Sequence, residues 1–177
     1  MEYEQIWAPW RLGYILGEKD APRCDPAAEP APGAAATCFL CQCDAQADDR
    51  QRAVVRRSAC CLTLLNRYPY NNGHLLVAPR SHVGRLEHLT AAEQLELTQT
   101  IAEMVLLLEK VLQPHGFNIG LNLGRVAGAG LPDHLHWHIV PRWSGDTNFM
   151  PVVAGIRVIP QSLDALWEAL TQELARS

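Results

Sequence analysis

The apolar positions of this chain follow two periods, and the switches between them mark its elements. Val54-Val55, Cys61 to Leu65 and His74 to Ala78 are short runs that read as strands, the last two separated by the turn-rich stretch Asn66 to Gly73. Asn72-Gly73 suits a tight turn because both residues tolerate positive φ. Thr90-Ala91-Ala92-Glu93 is a capping-box sequence. After it Leu95, Thr98, Ile101, Val105, Leu108 and Leu112 recur at three- and four-residue steps, which predicts a long helix with that face buried. Pro114 and Gly116 end it. Phe117 to Leu123 and His136 to Val140 read as neighbouring strands joined by the glycine-rich loop Gly124 to Gly130. A last helix begins near Ser162, with Leu163, Leu166, Trp167, Leu170 and Leu174 as its apolar stripe. Hairpin-linked strands with only two good helices predict an α+β fold with an antiparallel sheet, not a repeated βαβ unit.

One strand breaks the apolar pattern in a chemically pointed way. In His134-Leu135-His136-Trp137-His138-Ile139-Val140, histidine and apolar residues alternate. On a strand the three imidazoles share one face, while Leu135, Trp137 and Ile139 face a core. Packing alone has no use for such a row. A neutral imidazole carries a lone pair on one nitrogen and a proton on the other, which suits it to act as nucleophile or as proton donor.

Composition narrows the setting. The chain has 177 residues, 48% of them hydrophobic, enough for one domain with a substantial core. A net charge of −4 gives no basic field for nucleic acid. No apolar run is long enough to span a membrane, and the first residues do not resemble a secretion signal. The cysteines cluster (Cys38, Cys41 and Cys43; Cys60 beside Cys61), which fits a metal site or free thiols and a reduced, cytoplasmic setting better than a disulfide framework. Residues 1–20 are expected to form an N-terminal strap carrying Trp7, Trp10 and Tyr14. Residues 21–36, dense in proline and alanine, are expected to be a flexible insertion, and residues 37–177 the domain proper.

The alternating histidine row followed by Ile139-Val140 resembles the signature of the histidine triad (HIT) superfamily of nucleotidyl hydrolases and transferases. Asn66 to Val77, Gly120 to Gly124 and Pro141 to Phe149 are similar to further segments of that family, closest to the bacterial branch that includes diadenosine tetraphosphate phosphorylase. The resemblance implies a meander of about five strands, with helices packed on one side and often a homodimer. It implies that His136 attacks an α-phosphate to form a nucleotidyl-histidine, its tautomer fixed by the His134 carbonyl, and that His138 assists at the phosphate or leaving oxygen. Asn66 then matches the ribose-binding position, His74 a histidine under the nucleotide, and Asn122 a phosphate contact. Gly124, Gly128 and Gly130 lie in the phosphate loop. Two departures stand out: Asn66 replaces the usual acidic residue, and Gly130-Leu131 occupy a place where relatives often supply Gln, Ser or Thr.

Cys38-Phe39-Leu40-Cys41 has zinc-knuckle spacing, although one such pair leaves two ligand places open. In relatives with this pair the set is completed by residues matching His82 and His134, so the resemblance implies a structural zinc on Cys38, Cys41, His82 and His134, with no metal needed for the attack itself. Cys43 competes for a place, and a pair of buried thiols is the plain alternative. The expected substrate is a dinucleoside polyphosphate cleaved at the α-phosphate, with phosphorolysis favoured over hydrolysis by the Gly145-to-Phe149 segment. The alternatives are a nucleoside phosphoramidase and a nucleotide-binding or scaffold protein with incidental catalysis.

Overall fold

The computed structural model describes residues 37–147 and 159–176; the expected strap, the insertion, and Asn148 with Phe149 lie outside the described residues. In order, the elements are α1 (Phe39–Ala45), α2 (Asp49–Arg52), β1 (Val54–Arg57), β2 (Cys61–Leu65), β3 (Leu75–Pro79), α3 (Ala91–Leu112), β4 (Gly116–Leu121), β5 (Trp137–Arg142) and α4 (Leu163–Leu174). The strands form one five-stranded antiparallel sheet in the order β1-β2-β3-β5-β4. The last two strands exchange order because β4 leaves α3 at the sheet edge and β5 returns between β4 and β3.

Period-two alternation gives the sheet two different faces. On one, Cys61, Leu65, Leu75, Val77, Leu135 and Ile139 pack against α3 and α4 to form the main core. On the other, Leu62, Leu64, Leu76 and Ala78 pack against Cys38, Leu40, Cys41 and Cys43 of the α1 region. His138 pairs with Leu76 across β5 and β3, so the histidine row lies on this second face, away from the long helices. Among the described residues no helix is long and apolar enough to cross a membrane.

Thr90 caps α3 as its sequence requires, accepting from Glu93 N–H while Glu93 accepts from Thr90 N–H at 2.8 Å. The expected buried stripe of α3 is corrected. Leu97, Thr100, Met104, Leu107 and Leu108 are buried, whereas Leu95 is 60% exposed and Thr98 is exposed. Ile101, Val105 and Leu112 flank the core. Apolar residues occupy more than half of this helix's circumference, so periodicity alone does not fix which row docks. On α4, Leu166 and Leu170 are buried, with Leu163, Trp167 and Leu174 packed beside them, as the stripe predicts. Trp167 Nε1–H also donates to the Val54 carbonyl at 2.7 Å, tying α4 to β1.

The two short helices α1 and α2 were not expected, being too brief to show a period. A half-buried cation holds them. Arg57 reaches back from β1 and donates to the carbonyls of Cys43 (2.7 Å), Asp44 (2.9 Å) and Gln46 (2.8 Å), where α1 ends and its carbonyls lack helical partners. The same guanidinium meets Asp49 Oδ1 at 2.6 Å. Arg57→Ala is expected to cost about 2 kcal/mol, since several charge-assisted bonds to buried carbonyls go at once. Denaturant unfolding measures that loss, and hydrogen exchange should show α1 opening first.

Candidate active site

The geometry of His136 is set by its own chain. His136 is buried just before β5, and its Nδ1–H donates to the His134 carbonyl at 2.9 Å. A carbonyl can only accept, so the ring's lone pair is on Nε2. Burial pushes the His136 pKa below the ordinary imidazole range, against the opposing effect of that hydrogen bond, and this favours the neutral ring a nucleophile needs.

His138 has the opposite tautomer, for reasons that begin in the hairpin. The Tyr70 backbone N–H donates to His74 Nδ1 at 3.1 Å, and the Asn66 amide lies 3.3 Å from the same nitrogen. His74 Nδ1 is therefore the acceptor, and Nε2 carries the proton. That Nε2 lies 2.9 Å from His138 Nδ1 and donates to it, which leaves the His138 proton on Nε2. His136 and His138 meet edge-on with ring centroids 5.1 Å apart. Two adjacent imidazoles thus carry complementary groups on their outer nitrogens, a lone pair and a proton.

His134 serves a second cluster. The donor atoms of Cys38, Cys41, His82 and His134 all lie within 4.8 Å of one another and form a group able to hold a metal ion. His134 Nδ1 is 3.3 Å from Cys38 Sγ, 3.6 Å from Cys41 Sγ and 3.2 Å from His82 Nδ1. Its other nitrogen, Nε2, donates to the Pro79 carbonyl at 2.8 Å, the kind of outer contact that orients a ligating histidine. Burial draws the His134 pKa down to about 4, so the ring is neutral, and pushes the Cys38 thiol up to about 12. A cation entering this cluster must displace thiol protons. Cys38 caps α1 and Cys41 follows one turn later, which brings both sulfurs to one side of the helix. Cys43 is buried in the same apolar cluster but is not among the four grouped donors.

The remaining predicted positions divide. Asn122 continues the β4–β5 register to a place opposite His136, and its amide lies 3.5 Å from the Gly128 carbonyl. Gly124 and Gly128 adopt φ of +85° and +93°, which a side-chain-bearing residue would resist, and the loop closes by Ala127 and Ala129 N–H groups donating to the Gly124 carbonyl. Gly130 is exposed in the same loop. Asn66 Oδ1 accepts from Tyr68 N–H at 3.0 Å, so this side chain braces the hairpin as well as His74. Arg125 is exposed in the loop, but Arg142 does not supply free positive charge: it is bound to Asp146 at 2.6 Å and to Asn118 Oδ1 at 2.7 Å. Tyr70 and Pro79 were missed. Both act through backbone groups, which leave no mark in a side-chain pattern, although the Tyr70 ring also stacks on His74 at 4.9 Å.

Known proteins resemble this chain in sequence and fold. The HIT domain family model matches residues 48–145, and the chain belongs to that family. It is 41% identical over 175 residues, 99% of this chain and 86% of the relative, to a protein of Mycobacterium tuberculosis named AP-4-A phosphorylase. A bis(5'-nucleosyl)-tetraphosphatase (asymmetrical) of Schizosaccharomyces pombe is 36% identical over 52% of this chain and 50% of its own length. Among solved structures, a histidine triad nucleotide-binding protein of Sulfolobus tokodaii superposes with a TM-score of 0.63 at 22% identity, covering 78% of this chain and 93% of that one. A Zn-bound histidine triad family protein of Mycobacterium smegmatis gives 0.58 at 24% identity over 70% and 84%. These likenesses show the fold.

Gly84 tests how the cluster is assembled. A Cβ there would stand 2.8 Å from the Pro132 carbonyl oxygen and 2.9 Å from Asp133 Cα, while beside it Leu135 N–H donates to the Val83 carbonyl at 2.7 Å. Gly84→Ala therefore pushes the His82 segment away from the His134 segment. A loss of about 1–3 kcal/mol is expected, together with faster labelling of Cys38 and Cys41 by a thiol reagent.

Proposed function

We propose that this chain cleaves dinucleoside polyphosphates of the diadenosine tetraphosphate type at the α-phosphate, by nucleotidyl transfer through His136 to inorganic phosphate. The observation that carries this reading is the pair of complementary tautomers on His136 and His138. The His136 Nε2 lone pair attacks the α-phosphorus. The bond to the polyphosphate oxygen breaks, its electron pair stays with the leaving nucleotide, and the His138 Nε2–H hydrogen-bonds to that oxygen and stabilises its negative charge. An unprotonated oxygen of the phosphate dianion then attacks phosphorus, and the P–N bond returns its pair to His136, restoring the neutral ring. From diadenosine tetraphosphate the products are ATP and ADP; water as acceptor gives ATP and AMP.

Asn66, His74, Asn122 and the loop glycines Gly124, Gly128 and Gly130 form the proposed nucleotide and phosphate surround, with His74 acting through His138. A phosphoramidase would share the attack by His136, with a protonated amine leaving in place of the polyphosphate oxygen. The 41% identity to the relative named AP-4-A phosphorylase supports the polyphosphate reading over it.

We assign zinc to the four-residue cluster. Tetrahedral zinc with ordinary Zn–N and Zn–S bonds has N–N edges of about 3.3 Å and N–S edges of about 3.6 Å. The cluster supplies 3.2 Å between its imidazole nitrogens and 3.3–3.6 Å between nitrogen and sulfur. When bound, the metal supplies a structural cross-link, and Cys38, Cys41, His82 and His134 hold the residue whose carbonyl orients His136. Among the described residues Cys38, Cys41, Cys43, Cys60 and Cys61 form no disulfide, which supports a reducing cytoplasm. The domain proper is taken to begin at residue 37, with 1–20 and 21–36 as strap and insertion.

A homodimer is also proposed. β4 is an edge strand, and Ile119 on it is 47% exposed, an arrangement that invites pairing with a second copy. Ile119→Lys should halve the mass measured by light scattering; an unchanged mass would remove this edge as the interface.

Turnover of diadenosine tetraphosphate with and without inorganic phosphate tests the main reading. ATP and ADP are expected only with phosphate, and His136→Ala should lose at least about 10³-fold in kcat. AMP formed regardless of phosphate would reassign the acceptor to water. Turnover untouched by His136→Ala would refute nucleotidyl transfer through this residue.

A further inference from the structure

Among the described residues nothing in the fold requires a glycine at position 120. A glycine inside a strand weakens it, and when present it usually marks a positive φ, a bulge, or a neighbour too close for a side chain. None of these applies. Gly120 is not among the glycines with positive φ, and the β4–β5 ladder runs in unbroken register from Gly116↔Arg142 to Leu121↔Trp137. A Cβ built on Gly120 meets no described atom within 4 Å. Elsewhere in the chain the reason is visible. Gly73 combines a φ of +76° with a Leu112 methyl 2.5 Å from where its Cβ would be, and Gly84 abuts backbone. Gly116 is as open as Gly120, but it only begins the strand, where α3 has just ended.

The position of this bare stretch of backbone is specific. Gly120 is the cross-strand partner of His138 and so lies on the same face of the sheet as that imidazole. Asn118 and Asn122 flank it on that face at the two-residue period, with Asn118 Oδ1 engaged by Arg142. The strand order β3-β5-β4 puts the Asn66-to-Gly73 hairpin and His74 on one side of the histidine strand and Gly120 on the other. If the nucleoside is held on the hairpin side, as the function proposed above requires, the chain of phosphates and the second nucleoside have the β4 side open to them.

We infer that Gly120 is a specificity-determining position: its missing side chain keeps open the floor over which the part of the substrate beyond the scissile phosphate passes. The inference rests on the nucleotidyl-transfer reading and adds to it a size criterion for the leaving group. A side chain at residue 120 would stand beside His138 and narrow that passage. The nucleoside side and the attack of His136 would be left as they are.

The test uses two substrates that give the same adenylyl-His136 and differ only in what leaves: diadenosine tetraphosphate, which releases ATP, and adenosine 5'-phosphoramidate, which releases ammonia. Gly120→Ala and Gly120→Val are compared with the wild type in kcat/KM for both, with Tm measured alongside. The valine variant should lose about tenfold or more on diadenosine tetraphosphate, change less than about threefold on the phosphoramidate, and keep or raise Tm, since valine favours a strand. The alanine variant should move the same way by less. Equal losses on both substrates would overturn the inference, since they would mean disturbed chemistry. So would undiminished turnover of the large substrate. A lowered Tm in both variants would show that the fold itself requires glycine and would overturn it too. Wild type inactive on both substrates would instead remove the nucleotidyl-transfer reading, and the size criterion with it.

Discussion

His134 is held at three points, and most of the site depends on how those points are shared. Its Nδ1 faces the two thiols and His82, its Nε2–H is taken by the Pro79 carbonyl, and its own carbonyl takes the proton of His136. An imidazole fixed at both nitrogens cannot rotate, so the peptide that follows it is fixed as well. The His136 tautomer therefore rests on the packing of α1, β3 and the segment around His82. A buried thiol–imidazole cluster is an expensive thing to place in an apolar core unless its members satisfy one another. Here their mutual satisfaction also immobilises the strand that carries the chemistry.

The second constraint is directional. His136 donates inward, toward the chain behind it, while His138 accepts inward, from His74 where the hairpin enters β3. Each ring has a single mobile proton when neutral, so these inner contacts decide what the outer nitrogen offers. The difference between an outer lone pair and an outer N–H is therefore produced without charged neighbours. It requires only that a carbonyl lie behind one ring and a donor behind the other. Tyr70 N–H is the origin of that second chain, and the tight turn at Asn72-Gly73 is what places it. Because β5 lies between β3 and β4, the same strand also separates the His74 hairpin from the bare backbone at Gly120.

Much of this was legible in the linear chain where one short period dominates. Alternation at residues 134 to 140 put the imidazoles on one face and Leu135 and Ile139 in the core, because a strand's pleat leaves no other choice. The capping box fixed the start of α3 because its bonds are local. The helix's docking face was not legible, since Leu95, Leu97, Met104, Leu106 and Leu108 surround the axis and only contact with the sheet selects among them. The short helices near Cys38 were hidden for a related reason: one turn has no period, and Arg57, which holds them, is distant in sequence.

Taken alone, the sequence determined the family, the strands and the row of imidazoles, because each is written in side-chain identity at near spacing. Tertiary structure decided which nitrogen of each imidazole carries the proton, which four donors from three separate segments meet, and that Arg142 is spent on Asp146. It also decided that Gly120 stands opposite His138. These depend on backbone carbonyls, backbone N–H groups and strand order, and every residue's main chain looks alike until folding gives it a neighbour.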